Sequence, residues 1–129
     1  MSLTAVFLRS ALCAWGTFIA VSSVIALLLP SRRMPLTKAV KAWACVQGLT
    51  GGGLALGVVL QAPAGWYFGL AHCLANLGEV VVVGPRKLWN PQVSRSAKLT
   101  YAVNVVLFGG ILAVLVSSVG LGFFGLGDG

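Results

Sequence analysis

Three polar side chains on one apolar stretch are the residues best placed to do chemistry: His72, Asn76 and Glu79. Their spacings of four and three put them on one face of a helix, together with Gly65 and Gly69. Hydrocarbon penalises every such polar group, so this face must contact protein or water. The set could move protons or hold a buried ligand, or it could bond neighbouring helices together.

The helical rise separates His72 from Glu79 by about 10.5 Å along the axis, so they cannot touch. Asn76 lies between them and could relay a proton through water. In the structural interpretation, which we favour, His72 and Asn76 bond to other helices and Glu79 meets a cation such as Arg86 or Lys87. Haem ligation by His72 is disfavoured because the chain contains a single His and a haem between helices usually takes two axial ligands.

The composition is that of a membrane protein. Of 129 residues, 58% are hydrophobic and 9% are charged, whereas soluble domains carry about 25% charged residues. The uncharged runs cover 10–31, 42–78 and 99–127, and the middle run is interrupted by Gln-Ala-Pro-Ala-Gly at 61–65. Because a span needs about 20 apolar residues, the sequence predicts an all-α integral membrane four-helix bundle, a single domain over 1–129. The predicted spans are about 10–29, 42–60, 66–84 and 99–124.

Local signals set these bounds. Pro30 is expected to end the first helix, and Gly84-Pro85 the third. The first apolar run is longer than the core of a secretory signal, so we interpret it as a retained helix. Trp15 near its predicted start is expected to be an interfacial anchor, and Gly16 a point of close packing.

The cations predict the orientation. The net charge is +7, and apart from Arg9 the cations fall in two connections between predicted spans. They are Arg32, Arg33, Lys38 and Lys41, then Arg86, Lys87, Arg95 and Lys98. The positive-inside rule places both basic loops on the matrix or cytoplasmic side and both termini on the other. These loops would fix the topology and could also bind an anionic phospholipid such as cardiolipin. A nucleic-acid-binding surface is excluded because no water-facing domain carries basic and aromatic residues together.

Small residues are spaced for close helix packing. The pairs on the second and third predicted helices are Gly48 with Gly52, Gly53 with Gly57, and Gly65 with Gly69. Gln47 is the side chain of the second helix most able to bond across to the third. Asn104 is a further polar residue inside the fourth predicted span.

Signatures of enzymes and of metal sites are missing. Cys13, Cys45 and Cys73 are odd in number, lie inside predicted spans and lack metal-ligand spacing, so they are expected to be packing residues. There is no Gly-x-Ser-x-Gly elbow and no phosphate loop, and the two carboxylates, Glu79 and Asp128, lie far apart. The sequence predicts no catalytic residue, no metal and no cofactor beyond structural lipid.

Three short motifs carry a resemblance to a known family. They are Ala14-Trp15-Gly16, Leu29-Pro30 before a basic loop, and Leu74-Ala75-Asn76 followed by Gly84-Pro85-Arg86-Lys87. The chain resembles a small four-helix transmembrane family of unknown biochemical function, one member of which is associated with cisplatin resistance. The resemblance implies four spans in the same order over most of the chain, and it implies no chemistry.

The glycine faces and the absence of a soluble domain predict an accessory subunit of a multi-subunit membrane complex. The expected setting is an energy-converting assembly, a respiratory chain or ATP synthase complex of the mitochondrial inner membrane or another organelle membrane, whose other subunits and lipids are the partners. The alternative is a small transporter or proton-conducting protein that uses His72, Asn76 and Glu79.

Overall fold

Most of the described residues belong to helices. The computed structural model describes residues 2–29 and 37–126, without the side chains of residues 83 and 86–88. The helices are α1 (Leu3–Leu28), α2 (Lys38–Leu60), α3 (Pro63–Leu88), α4 (Arg95–Val116) and α5 (Ser118–Phe123). Those described residues include no strand, and the predicted all-α class is confirmed.

Within the described residues, three helices are long and apolar enough to cross a membrane: α1, α2 and α4. α3 contains His72, Asn76 and Glu79 and, at 26 residues, is as long as α1. The three candidate spans indicate that this is a membrane protein. The insertion of α3, and with it the count of four spans, stays a prediction.

Helices that are consecutive in the chain pack against each other: α1 on α2, α2 on α3, and α3 on α4. α5 turns back toward the start of α1, so that Ala5, Gln61 and Phe123 line one small cavity. Both ends of the described chain and the α2–α3 turn therefore lie together, at what we call the terminal end. The starts of α2 and α4, with Lys38 and Arg95, lie at the opposite, basic end.

Side-chain caps start four of the helices. The hydroxyls of Ser2, Thr37, Ser94 and Ser117 each accept a hydrogen bond from the backbone N–H three residues later. Such caps satisfy N–H groups that have no partner within the helix. They place the starts of α1, α2 and α4 four to seven residues before the predicted bounds, because hydropathy marks only the apolar part of a helix.

The predicted end of the third helix at Gly84-Pro85 is wrong. α3 continues to Leu88 with Pro85 inside its last turn. Proline lacks a backbone N–H but keeps its carbonyl, which accepts a hydrogen bond from the Trp89 N–H at 3.2 Å. The turn therefore closes after the proline, and the helix ends four residues later than predicted.

The fourth predicted helix is two helices. Ser117 has an extended backbone, with φ −75° and ψ 159°, and it separates α4 from α5. Its hydroxyl donates to the Val114 carbonyl at 2.6 Å and accepts from the Gly120 N–H at 3.1 Å. One serine thus ends α4 and begins α5, a role that the apolar pattern of 99–124 hides.

The core lies where all five helices meet. Leu54, Val58, Cys73, Leu115 and Phe124 are fully buried there. All three cysteines are free thiols, with Cys73 buried, Cys13 half-buried and Cys45 exposed. Large apolar side chains also cover much of the outer surface: Phe7, Phe18, Leu49, Val82 and Val106 are examples. An outside of this kind suits helices that face lipid or other membrane helices.

Candidate functional site

His72 lies at the centre of a hydrogen-bonded cluster and is fully buried. The indole Nε1–H of Trp15 on α1 donates to His72 Nε2 at 3.1 Å. The hydroxyl oxygen of Thr50 on α2 lies 3.0 Å from His72 Nδ1. Both ring nitrogens therefore have partners, and these partners come from two different helices.

The direction of these hydrogen bonds fixes the tautomer of His72. An indole N–H can only donate, so Nε2 must accept and carries no proton. The neutral ring then has its proton on Nδ1, which donates to the Thr50 hydroxyl oxygen. The Thr50 hydroxyl donates in turn to the Val46 carbonyl at 2.7 Å. The chain of donors thus runs in one direction, from α1 through α3 to the backbone of α2.

Phe108 brings α4 to the same point. Its ring centroid lies 5.5 Å from that of His72 at an interplanar angle of 69°, and 5.7 Å from the Trp15 ring at 73°. Both are edge-to-face contacts, the arrangement that aromatic rings favour. Four helices therefore meet around one imidazole.

Asn76 forms the second half of the cluster. Its amide and that of Gln47 bond reciprocally, Gln47 Nε2 to Asn76 Oδ1 at 2.9 Å and Asn76 Nδ2 to Gln47 Oε1 at 3.1 Å. Asn76 Nδ2 also donates to the His72 carbonyl at 2.8 Å. Gln47 thus reaches α3, as its position on the second helix predicts.

Glycines allow the backbones of α1 and α2 to come close together. A Cβ on Gly16 would lie 2.8 Å from the Ala55 Cβ and closer still to the Gly51 carbonyl oxygen. A Cβ on Gly48 would lie 2.9 Å from the Ser23 Cβ. These contacts are shorter than ordinary van der Waals distances, so the backbones can approach only because side chains are missing.

A second set of glycines joins α2 to α3. Gly57 and Gly65 face each other, and a Cβ on either would collide with the Cα of the other. A Cβ on Gly53 would clash with the Phe68 ring, and one on Gly69 would lie 2.9 Å from Leu54. Gly52 faces α1 instead and is less constrained, since a Cβ there would meet Ala20 at an ordinary 3.6 Å.

Glu79 lies outside the cluster, contrary to the shared face inferred from its spacing. Its side chain is exposed, whereas His72 is buried and Asn76 half-buried. The cause is the course of the two helices: α2 and α3 touch backbone to backbone at Gly57 and Gly65, but two amide side chains are needed to bridge them at Asn76. The helices diverge toward the basic end, so α2 no longer covers α3 at Glu79.

The remaining predicted residues lie apart from His72. Asn104 is half-buried on α4, one turn before Phe108. At the basic end Lys38, Lys41 and Arg95 are exposed and Lys98 is half-buried. Arg32 and Arg33 lie outside the described residues, as do the side chains of Arg86 and Lys87.

Thr50 and Phe108 were not predicted as partners of His72, and the position predicted for Trp15 is wrong. Trp15 lies in the middle of α1 and bonds to His72, so it is not an interfacial anchor. A histidine inside an apolar helix signals that partners are needed. The sequence cannot name them, because each partner is brought close only by the packing of a different helix.

Neither ring nitrogen of His72 is available to bind another group. The lone pair on His72 Nε2 accepts from Trp15 and Nδ1 carries a proton, so neither nitrogen can ligate a metal or haem while these bonds hold. Among the described residues no three or more His, Cys, Asp or Glu side chains form a group that could hold a metal ion.

Comparisons with protein families, with curated proteins and with solved structures found no match to this chain. The resemblance to the small four-helix transmembrane family stays a prediction.

Proposed function

We propose that this chain is an accessory subunit of a multi-subunit membrane complex, with a respiratory chain or ATP synthase assembly of the mitochondrial inner membrane as its setting. Its contribution is to hold neighbouring subunits together through outer helix faces, and its cations bind anionic lipid. The observation that carries this proposal is the uncovered outer face of α3.

That outer face combines a notch with a charge. A Cβ on Gly78 would meet no atom within 4 Å, and the neighbouring Leu74 and Val82 are 61% and 73% exposed. Glu79 is exposed beside them. An acidic side chain facing hydrocarbon costs up to about 3 kcal/mol at the bilayer centre. A helix of a neighbouring subunit that fits the notch and supplies a donor to Glu79 would remove this cost.

A second outer feature is the groove between α1 and α4, with a volume of about 690 Å³. Small and apolar residues line it, among them Ala11, Trp15 and Gly110. Added Cβ atoms on Gly109 and Gly110 would meet nothing within 4 Å. Helices with small residues on an open face are typical of those that associate closely in membranes.

The basic end supports the lipid part of the proposal. Lys38, Lys41 and Arg95 are exposed there, and Lys98 is half-buried. Cations at the boundary of apolar helices attract anionic headgroups, each contributing about 1 kcal/mol near the surface. Cardiolipin is the candidate lipid in a mitochondrial membrane.

The proposal is tested by the state of the chain in its native membrane. Extracted in mild detergent, the wild-type chain should migrate with other subunits on a native gel. Gly78→Leu should fill the notch and release the chain from that assembly. Ala26→Leu, which enlarges an exposed residue on α1, is the matched control and should stay assembled. A wild-type chain that is stable and alone in mild detergent would contradict the proposal.

The competing function is transport or proton conduction through His72, Asn76 and Glu79. Conduction needs groups that exchange partners along a path, whereas His72 and Asn76 have partners that close the cluster within the protein and Glu79 lies outside it. Proton flux into vesicles containing the purified chain separates the two functions. We expect no flux above that of empty vesicles, and no difference between wild type and Glu79→Gln. Flux that Glu79→Gln abolishes would favour conduction.

A further inference from the structure

A small cavity at the terminal end contains the one cation that lies far from the basic end in the described structure. Its volume is about 200 Å³. Three of its lining residues carry polar side chains, Arg9, Gln61 and Ser118, and apolar residues such as Ala5 and Phe123 form the rest of the wall. A charged group, an amide and a hydroxyl from three different segments therefore meet in one space.

The guanidinium of Arg9 has more N–H donors than the one hydrogen bond to Val58 uses. It carries five N–H groups, and it donates from Nη2 to the Val58 carbonyl at 3.3 Å. In the described structure no buried side-chain nitrogen or oxygen is without a partner, so the other donors of the half-buried Arg9 are open to the space around it. Arg9 also lines a second cavity of about 390 Å³ on another side, with Val6, Cys13 and Val59.

Carboxylates are scarce in this chain. It has two acidic residues, Glu79 and Asp128. Glu79 lies 16 residues into α3 from Pro63, which is about 24 Å along the helix axis from the terminal end. Asp128 lies outside the described residues. The described residues thus supply no acid to Arg9, which lies beside Val58 near the end of α2.

We propose that this cavity binds a phosphate group, and that the phosphate is the headgroup of an anionic phospholipid. A guanidinium presents paired donors that match two phosphate oxygens. The Gln61 amide and the Ser118 hydroxyl offer further donors, and Val6 and Val59 of the adjoining cavity offer apolar surface to an acyl chain. This lipid would lie in the leaflet opposite to that of the basic end. The inference does not depend on the accessory role of the chain.

The test locates bound lipid by crosslinking. The full chain in detergent is given phosphatidylglycerol with a photoreactive headgroup, and mass spectrometry locates adducts on 117–126 and on 89–98. Arg9→Gln should lower the adducts on 117–126 by about tenfold, the factor for one charge-assisted hydrogen bond, and leave those on 89–98 unchanged. Arg95→Gln is the matched control, since it removes the same charge from the exposed basic end. It should leave the adducts on 117–126 unchanged.

A second variant keeps the test valid if Arg9→Gln disturbs folding through loss of the bond to Val58. Ser118→Ala removes a hydroxyl from the cavity without touching the α5 cap, which is Ser117. It should lower the adducts on 117–126 by a few-fold. Unchanged adducts in both Arg9→Gln and Ser118→Ala would overturn the proposal.

Two further arms identify the source of the phosphate. Inorganic phosphate at millimolar concentration should fail to compete with the lipid. If inorganic phosphate displaced the lipid and abolished the adducts on 117–126, the cavity would be a site for a free anion and the proposal of a lipid headgroup would be overturned.

Asp128→Asn should leave the adducts unchanged. A rise in that variant would show that the chain's own carboxylate occupies the cavity, which also overturns the proposal.

Discussion

At the scale of single residues, the protein solves the problem of a histidine in an apolar helix by giving each ring nitrogen one partner. Trp15 donates to Nε2, and the Thr50 hydroxyl accepts from Nδ1 and donates its own hydrogen bond to the Val46 carbonyl. Such a cluster stabilises the fold only while every polar group in it has a hydrogen-bond partner. A buried polar group that loses its partner costs more than the hydrogen bond itself contributed.

Thr50→Val tests whether the fold depends on a hydrogen-bond partner for each polar group of the cluster. Valine keeps the shape but leaves the Nδ1–H of His72 without an acceptor, so the free energy of unfolding should fall by about 1–3 kcal/mol. The measurement is reversible unfolding in mixed detergent micelles. Thr100→Val is the matched control, because Thr100 makes the same kind of bond to its own helix, to Ser96 at 3.0 Å, on the exposed surface. Equal losses in the two variants would contradict the role given to Thr50.

The tautomer of His72 is a second prediction at this scale. The ¹⁵N chemical shifts of the ring at pH 7 should show a protonated Nδ1 and an unprotonated Nε2. In Trp15→Phe the donor to Nε2 is gone, so the ring loses this constraint and the shifts should move toward a mixture of tautomers. A protonated Nε2 in the wild type would show that the Trp15 bond is absent.

At the scale of helices, close approach is set by glycines whose missing side chains leave room for a neighbouring backbone. Gly16 and Gly57 contact other backbones, whereas Gly109 on α4 faces open space. Glycine disfavours a helix by up to about 1 kcal/mol relative to alanine. A glycine at a contact between helices offsets this cost, because it allows the neighbouring backbone to approach. A glycine that faces open space offers no such compensation.

Glycine-to-alanine substitutions should therefore differ in sign. Gly16→Ala and Gly57→Ala should each lower the free energy of unfolding by about 1–3 kcal/mol, because a methyl group is forced against backbone atoms. Gly109→Ala, the control on an open face, should raise it by up to about 1 kcal/mol. Unfolding of the three variants in the same micelles gives the comparison. Destabilisation by Gly109→Ala equal to that of the other two would refute the packing role of Gly16 and Gly57.

At the scale of the whole molecule, the helices form hairpins that bring both described ends to one side. Ala5 and Phe123 line the same cavity, and the α2–α3 turn lies beside them. If α1, α2, α3 and α4 all cross the membrane, these three segments share one aqueous face and the basic end meets the other. This is the orientation that the distribution of cations predicts.

Labelling of single cysteines in sealed vesicles tests this topology. With the three native cysteines replaced by alanine, Ser2→Cys and Leu126→Cys should react with an impermeant maleimide from one side. Gln92→Cys, in the connection between α3 and α4, should react only from the other. Labelling of all three from the same side would mean that the number of spans is not four.

The sequence by itself determined the features that local chemistry dictates. A chain with so few charges and such long apolar runs is expected to pair its backbone groups within helices, and glycines and polar residues at helical spacing mark faces that pack. It also indicated that Gln47 can reach α3. The helix starts were misjudged because serine and threonine caps extend a helix beyond its apolar part, and the break at Ser117 is one residue inside an apolar run.

Only the tertiary structure decided which residues meet. Trp15, Thr50 and Phe108 surround His72 because three other helices each approach at one level of α3, and no spacing within a single helix encodes that level. The spacing in the sequence puts Glu79 on the same helical face as His72. Glu79 is nevertheless exposed, because α2 and α3 diverge from their contact at Gly57 and Gly65. Periodicity describes one helix at a time, whereas burial depends on how far away the next helix lies.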